Sequence, residues 1–199
     1  MKIKSILATL VAVCVATVAT AQNEFGKGDA AININYGFGS FDGVDASDGS
    51  VFMNSLGASV EFGIMEGLIK GKGTVAVGAQ VGLGFGAEKF QNVDLNCTRI
   101  RIATRGVFHY QFVPQLDTYA GITLGIVDIN KYKYDGDYRV TGDNFDMKMN
   151  AEVEETDADF IYPVAFAGAR YMFSNSFGLN MEVSWDSFAI MSVGVTFKL

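Results

Sequence analysis

The chain is short of the residues on which most sites are built. It holds two cysteines, two prolines, one tryptophan and one histidine in 199 residues. Cys14 lies in a leader expected to be removed, so Cys97 is left as a single thiol and no intramolecular disulfide can form. A lone histidine, His109, excludes paired-imidazole metal spacing. No G-x-S-x-G or phosphate-cradling loop appears, and the run GLGFG at 82–86 falls inside an alternating segment, away from any strand-to-helix turn. No enzyme, cofactor or metal is therefore expected. Beyond the leader no apolar run reaches the ~20 residues that a membrane-spanning helix needs. Basic residues are also scarce. Removing a leader with two of the 15 lysines and arginines and none of the 22 acids takes the net charge from −7 to −9, which excludes nucleic acid as a partner.

The leader is Met1–Ala21. Lys2 and Lys4 form a charged start, Ile6 to Val18 an apolar stretch, and Ala19-Thr20-Ala21 a small-residue cleavage site. Val13 before Cys14 argues against lipoprotein processing. Residues 22–199 then form one domain, expected to be a barrel that stays in the cell envelope.

What the chain does have is alternation, together with 23 glycines. From Phe177, one face reads Phe177, Leu179, Met181, Val183, Trp185 and the other Gly178, Asn180, Glu182, Ser184, Asp186. The final segment repeats it, with Met191, Val193, Val195, Phe197 and Leu199 against Ser192, Gly194, Thr196 and Lys198. Strand side chains point alternately to opposite faces, so each segment has one greasy and one small or polar face. Earlier segments follow suit. Strands are expected at about Asp29–Gly39, Val51–Gly63, Thr74–Gly86, Thr98–Gln111, Thr118–Asn130 and Asp159–Phe173. The third is the cleanest, with Val75, Val77, Ala79, Val81, Leu83 and Phe85 opposite Thr74, Ala76, Gly78, Gln80, Gly82 and Gly84. Strand five places Ala120, Ile122, Leu124 and Ile126 on its greasy side. In strand six Phe160, Tyr162, Val164 and Phe166 share parity with Arg170, and a bulge near Pro163 would restore the phase.

The stretch GARYMFSNSFGLNMEVSW at 168–185 resembles the closing hairpin of the small eight-stranded outer-membrane β-barrel family, the type of the OmpA transmembrane domain. In that family an Arg-Tyr pair precedes a tight periplasmic turn and a lumenal Glu follows it. Arg170, Tyr171 and Glu182 match those places, and the resemblance implies that Arg170 and Glu182 meet inside. The family's terminal aromatic is here Leu199, with Phe197 two residues earlier.

The fold expected is thus all-β, an eight-stranded antiparallel up-and-down transmembrane β-barrel. Closure satisfies every backbone group in lipid. A soluble lipocalin-like barrel would have to turn the Gly-Ala face of strand three outward, exposing bare backbone with little charge. The connections 64–73, 112–117 and 174–176 are on balance shorter than 40–50, 87–97, 131–158 and 186–188, although 64–73 is long and 186–188 short, so both termini are expected in the periplasm of a Gram-negative cell. Outer-membrane lipid, periplasmic chaperones and the barrel-assembly machinery are then the partners of biogenesis.

Inward positions carry the charges. Glu61, His109, Arg170 and Lys198 are expected toward the periplasmic end, Glu182 and Arg105 higher, and Arg99, Arg101 and Asp186 near the outer end. Opposite signs in a low-dielectric lumen should pair. A structural lining is the first reading and a narrow pore for small solutes or ions the second, since eight strands enclose just enough space for side chains. The 131–157 loop has eight acids, four basic residues and the aromatics Tyr132, Tyr134, Tyr138 and Phe145, and is expected to be an extracellular contact surface.

Overall fold

The computed structural model describes residues 25–41, 51–90, 93–142, 145–159, 163–185 and 188–199. The leader, the 42–50 connection and Asp186 lie outside them. Nine strands appear among the described residues: β1 (Ala30–Phe41), β2 (Val51–Gly67), β3 (Gly73–Phe90), β4 (Val93–Val113), β5 (Leu116–Gly142), β6 (Phe145–Asp159), β7 (Val164–Met172), β8 (Phe177–Ser184) and β9 (Met191–Lys198). Every pairing is antiparallel. The order β4-β3-β2-β1-β9-β8-β7-β5 closes on itself through β4–β5, giving a closed eight-stranded barrel. β6 and β7 are successive lengths of one wall, since both pair with β5 at the same offset, Asp128↔Asp159 and Thr123↔Val164.

The barrel is built inside out relative to a soluble one. Ile34, Leu56, Phe62, Val77, Val81, Leu83, Ile102, Ile122, Leu124, Leu179, Met181 and Val193 are exposed on its outer wall, whereas Asn33, Ser59, Glu61, Arg101, Arg105, His109, Arg170 and Thr196 are buried in the lumen. A lipocalin-like arrangement would put the first set inside. Val75 to Phe85 on β3 span roughly 33 Å of strand at ~3.3 Å per residue, or about 25 Å of bilayer at a ~40° tilt, the height of a lipid-facing band. Aromatic rings gather at both limits of that band: Tyr36 and Phe38 at one end, and the run Tyr171, Phe173, Phe177 and Phe197, with centroids 5.4–6.2 Å apart, at the other.

One end is finished by tight turns. Pro114 and Gln115 alone separate β4 from β5, with Gln115 at φ 74°, so the strands run through most of the 112–117 segment expected to be turn. The β2–β3 turn at Leu68–Gly71 is left-handed at Ile69 and Lys70 as well as at its glycines. The other end is taller than the alternation implied. β3 and β4 continue to Phe90 and Val93, and the 131–158 segment is almost wholly strand: β5 and β6 run on as a hairpin to Gly142↔Phe145, flanked by β4 through Val93↔Gly136 to Cys97↔Tyr132.

One phase assignment changes. Ile126 is the extra residue in β5, because Ile102 pairs with Val127 while Ala103 pairs with Gly125. It marks a bulge, not an ordinary outward position, and the outward parity of β5 passes from Ile122 and Leu124 to Ile129. Paired residues share a face, so β6 and β7 carry opposite outward parities. Phe166 is buried in the lumen on the face of Arg170, where a phase change near Pro163 would put it; Phe160 and Tyr162 lie outside the described residues.

Candidate functional site

Among the described residues the lumen is where the fold concentrates chemistry, and its charged cluster draws on five different walls. At its centre Glu61 of β2 is fully buried. Its carboxylate meets Arg170 Nη2 of β7 at 2.7 Å and Arg105 Nη2 of β4 at 3.2 Å. Arg105 also donates to Glu182 Oε2 of β8 at 2.7 Å and to Gln80 Oε1 at 3.0 Å. Arg170 reaches Asp117 Oδ2 at 3.4 Å, and the same oxygen stands 2.9 Å from His109 Nδ1, whose Nε2 is 3.7 Å from Glu61. Two guanidiniums, three carboxylates and an imidazole thus form one connected cluster. Nearer the tight-turn end, Lys198 Nζ pairs with Asp29 Oδ2 at 2.8 Å.

The expected Arg170–Glu182 pair is not what forms. Arg170 pairs with Glu61 and Asp117, and Glu182 with Arg105. Along the hairpin Gly168 lies opposite Glu182 and Asn180 opposite Arg170. The long guanidinium arms instead cross the narrow lumen to other walls, where a carboxylate is available. Asp117, one residue inside β5, is a member that turn assignment concealed.

Aromatic rings pack against these cations. The Arg105 guanidinium lies 4.2 Å from the Phe166 centroid, and Arg170 stands 5.5 Å from Phe25 and 5.4 Å from Tyr119. Such contacts supply ~0.5–2 kcal/mol each when desolvated. Their room comes from glycines directly across the strand pair: Tyr119 faces Gly168 and Phe166 faces Gly121. A Cβ on Gly168 would fall 2.4–2.6 Å from the Tyr119 ring. A glycine at the opposing register position is the signal that a ring points into the lumen.

An aromatic ring enters the lumen at each end. Phe25 is buried 4.5 Å from the His109 ring, and the segment behind it is held by Gly28 N–H to Gly63 C=O (2.9 Å), Gly63 N–H to Asp29 C=O (2.9 Å) and Lys27 N–H to Glu66 Oε2 (2.8 Å). At the other end Phe188, expected in a loop, turns into the lumen against Gly82 and Gly84, with Arg101 and Arg99 at 4.9 and 5.9 Å from its ring. Between them, an uncharged ladder runs Ser59–Asn33–Thr196–Asn180, with bonds of 3.0, 2.7 and 2.9 Å. One cavity, beside Arg101, Arg105 and Glu182, is about 60 Å³, space for a couple of waters. Another, at the tight-turn end and lined by Phe25, Asp29, Glu66, His109, Gln111 and Asp117, is about 390 Å³. Cys97 is buried. Tyr132, Tyr134, Tyr138 and Phe145 lie on β5 and β6 in the hairpin. Among the described residues no group of three His, Cys, Asp or Glu is arranged to hold a metal ion.

No protein-family model matches the chain, and no match is found among curated proteins. Solved structures do match. Ail, the attachment invasion locus protein of Yersinia pestis, superposes with a TM-score of 0.50 at 10% identity, over 87% of this chain and 99% of that one. The fold is that of the small outer-membrane β-barrels. A de novo designed transmembrane β-barrel matches at TM-score 0.47 and 16% identity (89% and 100% covered), and the N-terminal barrel of Pseudomonas aeruginosa OprF at 0.35 and 12% (87% and 99%).

Proposed function

We propose that the protein is an integral barrel of a Gram-negative outer membrane, with a structural lumen and a surface-contact role carried by its hairpin end. The observation that carries this reading is a reversal of polarity along the strands. On β4 the outward face is Ile102 and Ile100, then Thr98 and Asn96; on β5 it is Ile129, then Lys131 and Lys133. An outer wall that is apolar for one bilayer thickness and then charged is what a lipid band ending at a headgroup region requires. In this reading the tight-turn end, where Leu199 is joined to Ala30, faces the periplasm, since short turns on that side and long extensions outside are the rule for such barrels.

The lumenal charges are assigned a structural task. They tie five walls together across the narrow lumen of an eight-stranded barrel, which favours a structural body over a solute conduit. His109, held against Asp117, belongs to that network and is given no catalytic part. Two measurements test the reading. Membrane fractionation should find the protein with the outer membrane, migrating differently before and after boiling. Purified protein in planar bilayers should give no steady single-channel steps; regular steps would restore the pore.

A further inference from the structure

The tight-turn end of the lumen is not filled by side chains. The cavity of about 390 Å³ there is lined by the segment from Phe25 to Asp29 and by β3, β4 and β5. Register brings its buried lining together: Gln111 of β4 lies opposite Asp117 of β5, and Thr74 of β3 opposite His109, two places along β4 from Gln111. Thr74, Gln111 and Asp117 are 5%, 8% and 5% exposed. Polar groups buried to this degree are nearly always hydrogen-bonded. Among the described residues, however, the Thr74 hydroxyl and the Gln111 side-chain amide make no hydrogen bond. Asp117 uses Oδ2 for His109 Nδ1 (2.9 Å) and Arg170 Nη1 (3.4 Å), and its Oδ1 makes no bond among the described residues.

Charge differs between the depth of the cavity and its mouth. In the adjoining cluster two guanidiniums face three carboxylates. Glu61 and Glu182 hold the close contacts at 2.7 Å, and Asp117 is reached only at 3.4 Å. At the mouth stand the exposed Lys27, Lys72 and Glu66, two cations against one acid, while Asp29 is matched by Lys198 at 2.8 Å. A ligand suited to both depths is cationic at its inner end and anionic at its outer end. A primary ammonium carries three N–H donors. The buried lining offers acceptors on three neighbouring strands: the second Asp117 oxygen, the Gln111 carbonyl and the Thr74 hydroxyl. Hydrogen bonds from a charged donor are about twice as strong as neutral ones. A polyamine would meet the lysines at the mouth, which disfavours it.

We propose that the tight-turn end of the lumen binds a zwitterion of amino-acid size. Its primary ammonium docks on Asp117, Gln111 and Thr74, and its carboxylate lies between Lys27 and Lys72, whose long stems let their charges reach it. The cavity stands at the lower end of the ~300–1,000 Å³ range of small-molecule pockets. The site adds a binding role at the end opposite the hairpin and is independent of the contact role proposed there.

The test titrates the full chain, folded in detergent micelles, with alanine and follows backbone amide resonances. Saturable shifts should centre on Thr74, Gln111 and Asp117. Ethylamine, which lacks the carboxylate, and N-acetylalanine, which lacks the ammonium, should each bind at least tenfold more weakly. Tri-alanine, whose carboxylate is distant from its ammonium, should bind at least fivefold more weakly. Asp117→Asn should weaken alanine binding at least tenfold. Asp117 also belongs to the charged cluster, so Thr74→Val and Lys72→Gln carry the test if that variant does not fold. Each should weaken binding at least threefold with heat-modifiability unchanged. Ethylamine binding as tightly as alanine overturns the zwitterion in favour of a simple cation site. Magnesium ions giving the same shifts at lower concentration overturn it in favour of a metal. Shifts that do not saturate, or Thr74→Val and Lys72→Gln binding alanine as the parent does, overturn the site itself.

Discussion

Glu61 shows how much one buried carboxylate holds. Both its oxygens face guanidiniums, and those guanidiniums reach on to Asp117 and Glu182. Replacing it with Gln leaves two cations in a lumen of low dielectric, so Glu61→Gln should destabilise by about 3–5 kcal/mol in urea unfolding of the folded barrel. Glu182, partly exposed and facing one guanidinium, should cost less. A double-mutant cycle between Glu61 and Arg170 should give a larger coupling than one between Glu182 and Arg170; the reverse would mean the family-like hairpin pair forms after all. At this scale glycine is equally decisive. Gly168→Val drives atoms into the Tyr119 ring, an overpacking expected to cost about 1–3 kcal/mol, whereas Gly106, where a Cβ would meet nothing within 4 Å, should accept alanine with little loss. Greater sensitivity at Gly106 in the same unfolding assay would count against the ring-and-glycine account.

The strands divide cleanly between those legible in the sequence and those not. β3 and β9 could be read because one face is Gly, Ala, Ser or Thr throughout, leaving no doubt about which side fits a narrow lumen. β7 was harder, because Phe166 is a lumenal ring and only the parity it shares with Arg170 marks its face. β5 hid its bulge at Ile126, since an extra residue in an all-apolar run leaves no mark on composition. The charged positions were legible by parity, yet their partners were not: which arginine meets which acid depends on how the walls face across the closed barrel. Phe25 and Phe188 gave no periodic signal, as both enter the lumen from outside the strands. A test of parity belongs to β9. Val195 pairs with Ile34 and Leu179 on the outer wall, so Val195→Arg should cost about 2–4 kcal/mol near the midplane and less toward the interface. Thr196→Arg should do worse, because Thr196 is fully buried and bonded to both Asn33 and Asn180. Liposome-folding yields that rank the two the other way would reverse the assigned faces.

At the scale of the molecule, the barrel and the hairpin differ in kind. Within the band the lumen is polar and the wall apolar. Above it β5 and β6 pair with each other as far as Gly142↔Phe145, beside β4 only up to Val93↔Gly136. The two parts share strands but no packed core is needed to join them, so the barrel should fold without the hairpin. Replacing Gly136–Glu155 with an Asn-Gly turn shortens a loop, and each halving of loop length changes closure by only ~0.6 kcal/mol. It also leaves Tyr132↔Cys97 and Tyr134↔Leu95 in place beneath the new turn. The variant should keep its gel shift on heating and its outer-membrane location, with an unfolding midpoint close to that of the parent. It should lose whatever adhesion to cells or matrix the intact protein shows. A variant that no longer folds would mean that the hairpin packs down over the lumen as a lid, and the barrel would then depend on the element assigned to contact.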